Sequence, residues 1–138
     1  MTCIVVDASV AAKWFLTEPD SAVATSLLAG GADLLGPEIL VVETAAAIVR
    51  RFRTGGIDEA HAQQLLADAH AAFKLRSITL SPDVSLLPRA EEIAMSMRHS
   101  LQDCLYVACA ESAGAELVTA DATLVARASA RFPFVRTL

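Results

Sequence analysis

The sequence contains few of the residues and segments that mark several other classes of protein. It has one Trp and one Tyr, and Lys13 and Lys74 are its only lysines. No segment approaches the roughly 18 consecutive apolar residues of a membrane-spanning helix. Because the first residues also lack a basic stretch followed by a long apolar run, we expect no signal peptide. These absences argue against a membrane protein and favour a location in the cytoplasm.

The cysteines argue against two further kinds of site. Cys3, Cys104 and Cys109 form no CxxC pair, and none has a nearby histidine at the spacing of a metal site. Each lies in an apolar stretch. We therefore expect small buried side chains rather than metal ligands or disulfide partners.

The charge balance is acidic, with 16 Asp and Glu residues, 11 Lys and Arg residues and a formal net charge of −5. This balance argues against a protein that coats nucleic acid non-specifically. It is compatible with a nuclease whose acidic residues surround a metal ion. Arg50, Arg51 and Arg53 cluster at the end of one predicted helix. A basic rim of this kind would suit a phosphodiester substrate.

Hydrophobic patterning predicts an α/β fold with a mostly parallel sheet. The 138 residues, 54% of them hydrophobic, have the length of one domain, 1–138. Short apolar runs predict strands at 3–6, 34–35, 75–80, 116–119 and 134–136. Periodicity and capping residues, including Asp20 and Asp58 as N-caps, predict helices at 8–16, 20–28, 38–53, 58–73, 88–98, 100–112 and 122–131. Strands that alternate with helices in this way are typical of parallel sheets.

Four acidic residues far apart in the chain are candidates for one metal site: Asp7, Glu43, Asp103 and Asp121. Asp7 and Asp121 directly follow predicted strands, and open α/β sheets bind their ligands beyond such strand ends. Carboxylates gathered there repel each other, by roughly 4 kcal/mol for a pair about 4 Å apart at an effective dielectric of about 20. Such a group must be partly protonated or must hold a hard cation such as Mg²⁺ or Mn²⁺.

These aspartates also have ordinary structural explanations. Asp7 and Asp121 precede predicted helices, where Asp is a favoured N-cap. Ser100 and Asp103 fit the Ser-x-x-Asp capping pattern. The hydroxyls of Ser9 and Thr119 are candidates for orienting the neighbouring carboxylates, although helix capping and strand propensity also explain them. His99 is close in sequence to Asp103, which leaves open a role in proton transfer.

Glu43 lies on the predicted helix 38–53, and its role depends on which way it faces. Periodicity predicts an apolar face made of Val41, Ala45, Ile48, Val49 and Phe52. Glu43 lies across from that face, near Ala46, Ala47 and Arg50. One interpretation is a solvated surface; the other places Glu43 in a cleft, with Arg50 near a substrate phosphate. Glu38 is a competitor, but an acid at a helix start also suits the helix dipole.

Four short motifs occur in order along nearly the whole chain. They are Ile4-Val5-Val6-Asp7-Ala8-Ser9-Val10 followed by Lys13-Trp14-Phe15, then Pro37-Glu38 with Glu43 and the run to Arg50, then Leu101-Gln102-Asp103-Cys104-Leu105-Tyr106-Val107-Ala108, and finally Leu117-Val118-Thr119-Ala120-Asp121. This ordered set resembles PIN-domain proteins, especially the VapC-type toxins of bacterial toxin–antitoxin pairs. Two departures are Gln102, where a small residue is common, and Thr44, where the family often has Asn.

The resemblance implies a metal-dependent endoribonuclease with a PIN-like three-layer fold, in which four to five strands are flanked by about seven helices. Asp7, Asp103 and Asp121 would bind one or two Mg²⁺ or Mn²⁺ ions directly or through water. Glu43 would belong to the same metal site and position or deprotonate the attacking water. The implied partners are an RNA substrate, a second copy in a homodimer, and a cognate antitoxin whose tail, with an arginine, fills the acidic groove. The apolar helices before Gly55 are candidates for both protein interfaces.

Three other functions stay open at this stage. A phosphatase or phospho-acceptor domain would use Asp7 as its nucleophile, but haloacid-dehalogenase-like phosphatases have a second Asp where this chain has Ser9. A binding module would keep the fold without activity, although all four acids are present. A nuclease of RNA maturation would share the chemistry and differ only in its biological role.

Overall fold

Five parallel strands form the centre of the molecule in this computed structural model, which describes residues 2–75 and 78–138. The strands are β1 (Cys3–Val6), β2 (Asp33–Pro37), β3 (Thr79–Ser81), β4 (Glu116–Thr119) and β5 (Val135–Thr137). Their order is β3-β2-β1-β4-β5, and Ile4 of β1 pairs with Leu34 on one side and Glu116 on the other. The central place of β1 follows from its apolar sequence, because a strand covered on both faces presents no polar side chain to the core.

Helices connect and cover the strands. In the described residues there are seven: α1 (Ala8–Ala11), α2 (Ser21–Ala29), α3 (Ile39–Arg53), α4 (Glu59–Lys74), α5 (Asp83–Met97), α6 (Leu101–Ala113) and α7 (Ala122–Ala128). Helix α6 packs against β1, β2 and β4 on the sheet and against α5. Its seven consecutive residues Cys104 to Ala110 are buried, as expected of a helix that is apolar on every side. The predicted α/β fold, with its mostly parallel sheet and about seven helices, is confirmed.

The core has two parts. The larger one surrounds the sheet and includes Val5, Val118 and Tyr106. The smaller one lies between α3, α4 and the 3-10 turn Ala12–Trp14, where Ile48 and Leu65 are buried. All three cysteines are free; Cys104 and Cys109 are buried, as predicted, whereas Cys3 is only half-buried. Within residues 2–75 and 78–138, no helix has both the length and the apolar character needed to cross a lipid bilayer.

Several predicted boundaries move. The helix predicted at 8–16 ends at Ala11 and continues as a 3-10 turn, and the helix predicted at 122–131 ends at Ala128. Helix α5 begins at Asp83, five residues before the predicted start, with Pro88 inside it. Pro88 has no backbone N–H, so the helical bond to the carbonyl of Val84, an exposed residue, is not made there. Of the strand predicted at 75–80, positions 76 and 77 lie outside the described residues.

Two side-chain predictions are wrong. Asp20 makes no side-chain cap for α2; its carboxylate instead lies 2.9 Å from the ammonium of Lys13. The apolar face predicted for α3 is wrong in part: its member Ile48 is buried, but so are Leu40 and Thr44, which lie outside it. Val49 and Phe52, which belong to the predicted apolar face, are each 40% exposed. Asp58 does cap α4, accepting the backbone N–H of His61 at 2.8 Å.

Candidate functional site

Asp7 lies at the carboxyl end of the central strand and begins the helix that follows. Its backbone is extended, and its Oδ1 accepts the N–H of Val10 at 3.2 Å, which makes it the N-cap of α1. The residue is only 6% exposed. The capping explanation is therefore correct, but it uses one carboxylate oxygen and leaves the second to other partners.

Two hydroxyl groups hold the Asp7 carboxylate across the β1–β4 pair. Ser9 donates its hydroxyl to Oδ1, and Thr119, at the end of β4, donates to Oδ2. Each hydroxyl also accepts a backbone N–H, that of Ala120 for Ser9 at 2.9 Å and that of Asp121 for Thr119 at 3.0 Å. Every hydrogen-bonding group in this small network has a partner, so the orientation of Asp7 is fixed by the sheet itself.

Asp121 follows β4 and is the N-cap of α7. Its Oδ1 accepts the backbone N–H groups of Thr123 at 2.9 Å and Leu124 at 3.2 Å. The parallel pairing of β1 with β4 brings Asp121 to the same sheet edge as Asp7, because both residues directly follow their strands. The other oxygen of Asp121 makes none of the hydrogen bonds found among the described residues.

Glu43 reaches the same edge from helix α3. Its Oε1 accepts the hydroxyl of Tyr106, on α6, at 2.6 Å. Glu38 is occupied elsewhere, because its Oε1 accepts the backbone N–H of Asp83 at 3.1 Å and so caps α5. Of the two interpretations of Glu43, a solvated surface or a cleft, the structure favours the cleft. Glu38, its competitor, supports the start of a helix instead.

Asp103 comes from the first turn of α6. Its backbone N–H bonds to the hydroxyl of Ser100 at 3.4 Å, which is the predicted cap. Its carboxylate does not complete a capping box; Oδ2 lies 2.7 Å from Nε2 of His99. The side chain of Asp103 is 32% exposed, so it is wetter than Asp7.

The four acidic side chains line one cleft of about 480 Å³. Other polar side chains of its wall are those of Ser9, Lys13, Glu18, Arg50 and Tyr106. Small residues, among them Ala46 and Ala47, keep the α3 side of the cleft open. Arg50 lies on the rim, where the sequence places it relative to Glu43. Thr44 is buried and donates its hydroxyl to the Leu40 carbonyl at 2.7 Å, so it does not reach the cleft.

The electrostatics of the cleft are those of crowded, partly desolvated acids. Burial raises the pKa of Asp7 to about 6; the hydrogen bonds from Ser9, Thr119 and Val10 oppose this shift, and the charge of Asp103 adds to it. Burial also raises the pKa of Glu43, with further contributions from the charges of Asp103 and Asp83. The pKa of Tyr106 is raised by burial and by its bond to Glu43, so its hydroxyl stays a donor. Among the described residues, none of the four carboxylates pairs with a lysine or an arginine.

The donor set suits a hard divalent cation, since it consists of carboxylate oxygens without sulfur. In their present positions, however, no three Asp, Glu, His or Cys side chains of the described residues are close enough to hold one ion together. Asp121 is turned toward its helix cap and Glu43 toward Tyr106. A cation that takes one or two carboxylates and keeps several waters, as Mg²⁺ usually does, would not need a full cage of protein ligands.

Some residues of the cleft have no clear signal in the sequence. Tyr106 is among the most buried large side chains, and its hydroxyl contact with Glu43 joins positions 63 residues apart. Lys13 is held at 2.6 Å from Glu18 and 2.9 Å from Asp20, and Glu18 is also 3.3 Å from Arg51. For the contact between Tyr106 and Glu43, the sequence offers one hint. Tyr106 lies three residues after Asp103, and residues three apart on a helix share a face.

The comparisons with known proteins agree with the family suggested by the motifs. The family model for the PIN domain matches residues 4–129. No curated protein sequence matches the chain significantly. Among solved structures, the chain is similar to PAE2754 from Pyrobaculum aerophilum, with 25% identity over 91% of this chain and 79% of that one and a TM-score of 0.69.

A second solved structure supports the fold alone. VapC20 from Mycobacterium tuberculosis, described as a sarcin-ricin loop cleaving toxin, is 18% identical. The match covers 94% of this chain and 95% of that one, with a TM-score of 0.69. The family match runs from the central strand through the last helix, and the chain therefore belongs to the PIN domain family.

Proposed function

We propose that this chain, as one nuclease domain over residues 1–138, is a metal-dependent endoribonuclease that acts as the toxin of a toxin–antitoxin pair. The observation that carries the proposal is the single cleft lined by Asp7, Glu43, Asp103 and Asp121. Membership of the PIN domain family supports it, as does the shared fold with VapC20, a toxin that cleaves the sarcin-ricin loop. For this activity we expect the protein to act on its RNA substrate in the cytoplasm.

The cation of this proposal is Mg²⁺ or Mn²⁺, held by Asp7, Asp103 and Asp121 directly or through water. When bound, such an ion polarises the phosphoryl oxygen, lowers the pKa of bound water and stabilises the leaving oxygen. Burial first, and the charge of Asp103 to a lesser extent, raises the pKa of Asp7 and of Glu43, and a cation beside them would stabilise their ionised forms.

The protein's own groups divide the remaining work. Hydrolysis adds water across one P–O bond, so a base must remove a proton from the attacking water. Glu43 has this role, because its raised pKa brings it closer to the working range of a general base and Tyr106 holds its orientation. Ser9 and Thr119 keep Asp7 fixed, and Arg50 on the rim binds a phosphate of the RNA backbone.

Two protein partners belong to the proposal. An antitoxin segment with an arginine is suited to the acidic cleft, because a guanidinium pairs with carboxylates in a bidentate manner. A second copy of the chain is suited to helix α3, where Val42 is 67% exposed and Val49 and Phe52 are each 40% exposed. Sedimentation of the parent and of Phe52→Glu tests the homodimer, which the charge should dissociate.

The decisive test is RNA cleavage with and without Mg²⁺ or Mn²⁺, for the parent and for Asp7→Asn and Asp103→Asn. Each substitution removes a charge from the cation site, so we expect a loss larger than the roughly 100-fold typical of changes to supporting residues. Asp68→Asn is the matched control, because Asp68 is exposed on α4 and accepts a hydrogen bond from Gln64 on the same helix.

The outcomes separate the functions. If both cleft variants cleave RNA as the parent does, the site assignment is wrong. If the parent itself is inactive with Mn²⁺ at high concentration, the chain is a binding module. Growth arrest on expression, relieved by the product of a small neighbouring reading frame, distinguishes a toxin from an enzyme of RNA maturation.

A further inference from the structure

His99 occupies the tight turn that joins α5 to α6. Arg98, just before it, is the C-cap of α5 and the one non-glycine residue of the described chain with a positive φ, at 52°. This left-handed conformation turns the chain sharply, and the N–H of His99 bonds to the carbonyl of Ala94 at 3.1 Å. The side chain of His99 is only 8% exposed. The turn thus buries a polar ring directly beside the cleft.

The ring of His99 contacts Asp103 and one other side chain. Its Nε2 is 2.7 Å from Oδ2 of Asp103, and its Nδ1 is 3.5 Å from Nη1 of Arg127, on α7. The same Nη1 donates to the carbonyl of Arg98 at 3.2 Å. Arg127 therefore bonds the backbone at the start of the turn and faces the side of the His99 ring opposite Asp103.

These contacts favour one position for the hydrogen of the neutral ring. A guanidinium has only donors, so the Nδ1 of His99 that faces Arg127 at 3.5 Å is better placed to accept than to donate. A hydrogen on Nδ1 would instead face the N–H groups of Arg127. The neutral ring then carries its hydrogen on Nε2, where it donates to Asp103. Two hydroxyls hold the carboxylate of Asp7, whereas His99 is the side-chain partner of the carboxylate of Asp103 among the described residues.

We propose that His99, backed by Arg127, is a positioning residue that fixes one oxygen of Asp103 and aims the other into the cleft. This inference rests on the proposed function, in which Asp103 helps to hold the cation. A carboxylate whose rotation is restricted in this way binds an ion with less loss of side-chain entropy. His99 touches neither the substrate nor the cation in this arrangement.

The test compares His99→Leu with His99→Gln. Gln offers an N–H close to the place of Nε2, whereas Leu keeps a similar bulk and has no donor. We expect Mn²⁺ affinity, measured by calorimetry on protein freed of metal, to fall about 10-fold to 100-fold in His99→Leu. His99→Gln should recover most of the affinity. His70→Leu, at an exposed position of α4, is the matched control and should leave affinity unchanged.

A spectroscopic readout tests the geometry without any metal. In ¹⁵N-histidine-labelled protein at mildly alkaline pH, the signal that disappears in His99→Gln belongs to His99. We expect this signal to show the hydrogen on Nε2 in the parent. In Arg127→Met, which keeps the aliphatic stem and removes the donors, a larger fraction of Nδ1–H should appear.

The possible results are distinct from those that test the nuclease itself. A hydrogen on Nδ1 in the parent would overturn the inference, and so would equal Mn²⁺ affinity in the parent and in a folded His99→Leu. Equal losses in the Leu and Gln variants, with unchanged thermal stability, would also overturn it. A parent that shows the Nε2 hydrogen but binds no Mn²⁺ would overturn the metal-dependent function and, with it, this role of His99.

Discussion

Asp7 and Asp103 face the same cleft but are held in two different ways. Asp7 is 6% exposed and accepts hydrogen bonds from a backbone amide and two hydroxyls that join neighbouring strands. Asp103 belongs to a helix, its side chain is 32% exposed, and its carboxylate contacts His99. The strand side of the cleft is therefore rigid and desolvated, whereas the helix side is wetter and depends on single side-chain contacts.

The largest expected difference in stability concerns Asp7. Its pKa is about 6 in the folded protein and 3.8 for an ordinary aspartate, so the folded state holds the proton more tightly than the unfolded state. Below about pH 4 Asp7 is protonated in both states, and its ionisation does not lower the free energy of unfolding. Between about pH 4 and 6 this loss of stability grows, and above that range it reaches roughly 3 kcal/mol. Asp7→Asn should be more stable than the parent by up to this amount at neutral pH.

Urea unfolding from about pH 4 to 8, in the presence of a chelator, measures this effect. The advantage of Asp7→Asn should shrink as the pH falls toward 4, because the parent then becomes protonated. Asp68→Asn, at an exposed position of α4, supplies the baseline. A variant less stable than the parent at neutral pH would show that the hydrogen bonds to Asp7 outweigh its desolvation. The contrast between a desolvated Asp7 and a wetter Asp103 would then not explain their stabilities.

The second prediction concerns the helix side, where Tyr106 donates to Glu43 at 2.6 Å. Tyr106→Phe keeps the buried ring and removes the hydroxyl, which should lower the free energy of unfolding by about 1 kcal/mol. The pKa of Glu43 should rise further, because the hydrogen bond from Tyr106 lowers it in the parent. The rising limb of a pH–rate profile for RNA cleavage should therefore shift to higher pH. A profile identical to that of the parent would remove Glu43 from the role of base.

The smallest expected effect concerns the turn that carries His99. Arg98 has a φ of 52°, a conformation that costs a non-glycine residue about 1–2 kcal/mol. Arg98→Gly should therefore stabilise the protein slightly, by about 0.5–1 kcal/mol after the added flexibility of the unfolded chain. Thermal unfolding of this variant, with Arg131→Gly as an arginine control outside the turn, measures the difference. A destabilised Arg98→Gly would mean that the arginine side chain contributes more than the strained backbone costs.

The same contrast explains what the sequence was able to predict. Asp7 and Asp121 directly follow apolar strands, and parallel pairing alone brings such residues to one edge. Placement on helices was harder. The apolar side chains of α3 marked its buried face only in part, because Ile48 is buried but Val49 and Phe52 are exposed and the polar Thr44 is buried. The motifs already favoured Glu43 over Glu38, but periodicity did not predict the contact of Glu43 with Tyr106, which is a tertiary one.

Some local signals were outweighed by more distant partners. Asp20 has the sequence context of an N-cap, but the ammonium of Lys13 is a stronger partner for its carboxylate than a backbone amide. Burial keeps Pro88 inside α5, because Leu86 and Ala90 on either side of it lie in the core. The role of the four acids in holding a cation stays a prediction that the proposed binding and cleavage experiments test.

The pairing of β1 has a consequence for how the protein is made. Ile4 of β1 pairs with Leu34 of β2 on one side and with Glu116 of β4 on the other. The second pairing can therefore form only after most of the polypeptide has been synthesised. The edge that holds Thr119 and Asp121 is therefore among the last parts to emerge from the ribosome and assemble. A chain interrupted before β4 lacks Asp121 of the cleft and Thr119, which holds Asp7, so an RNA-cutting activity built this way would begin only when synthesis is almost complete.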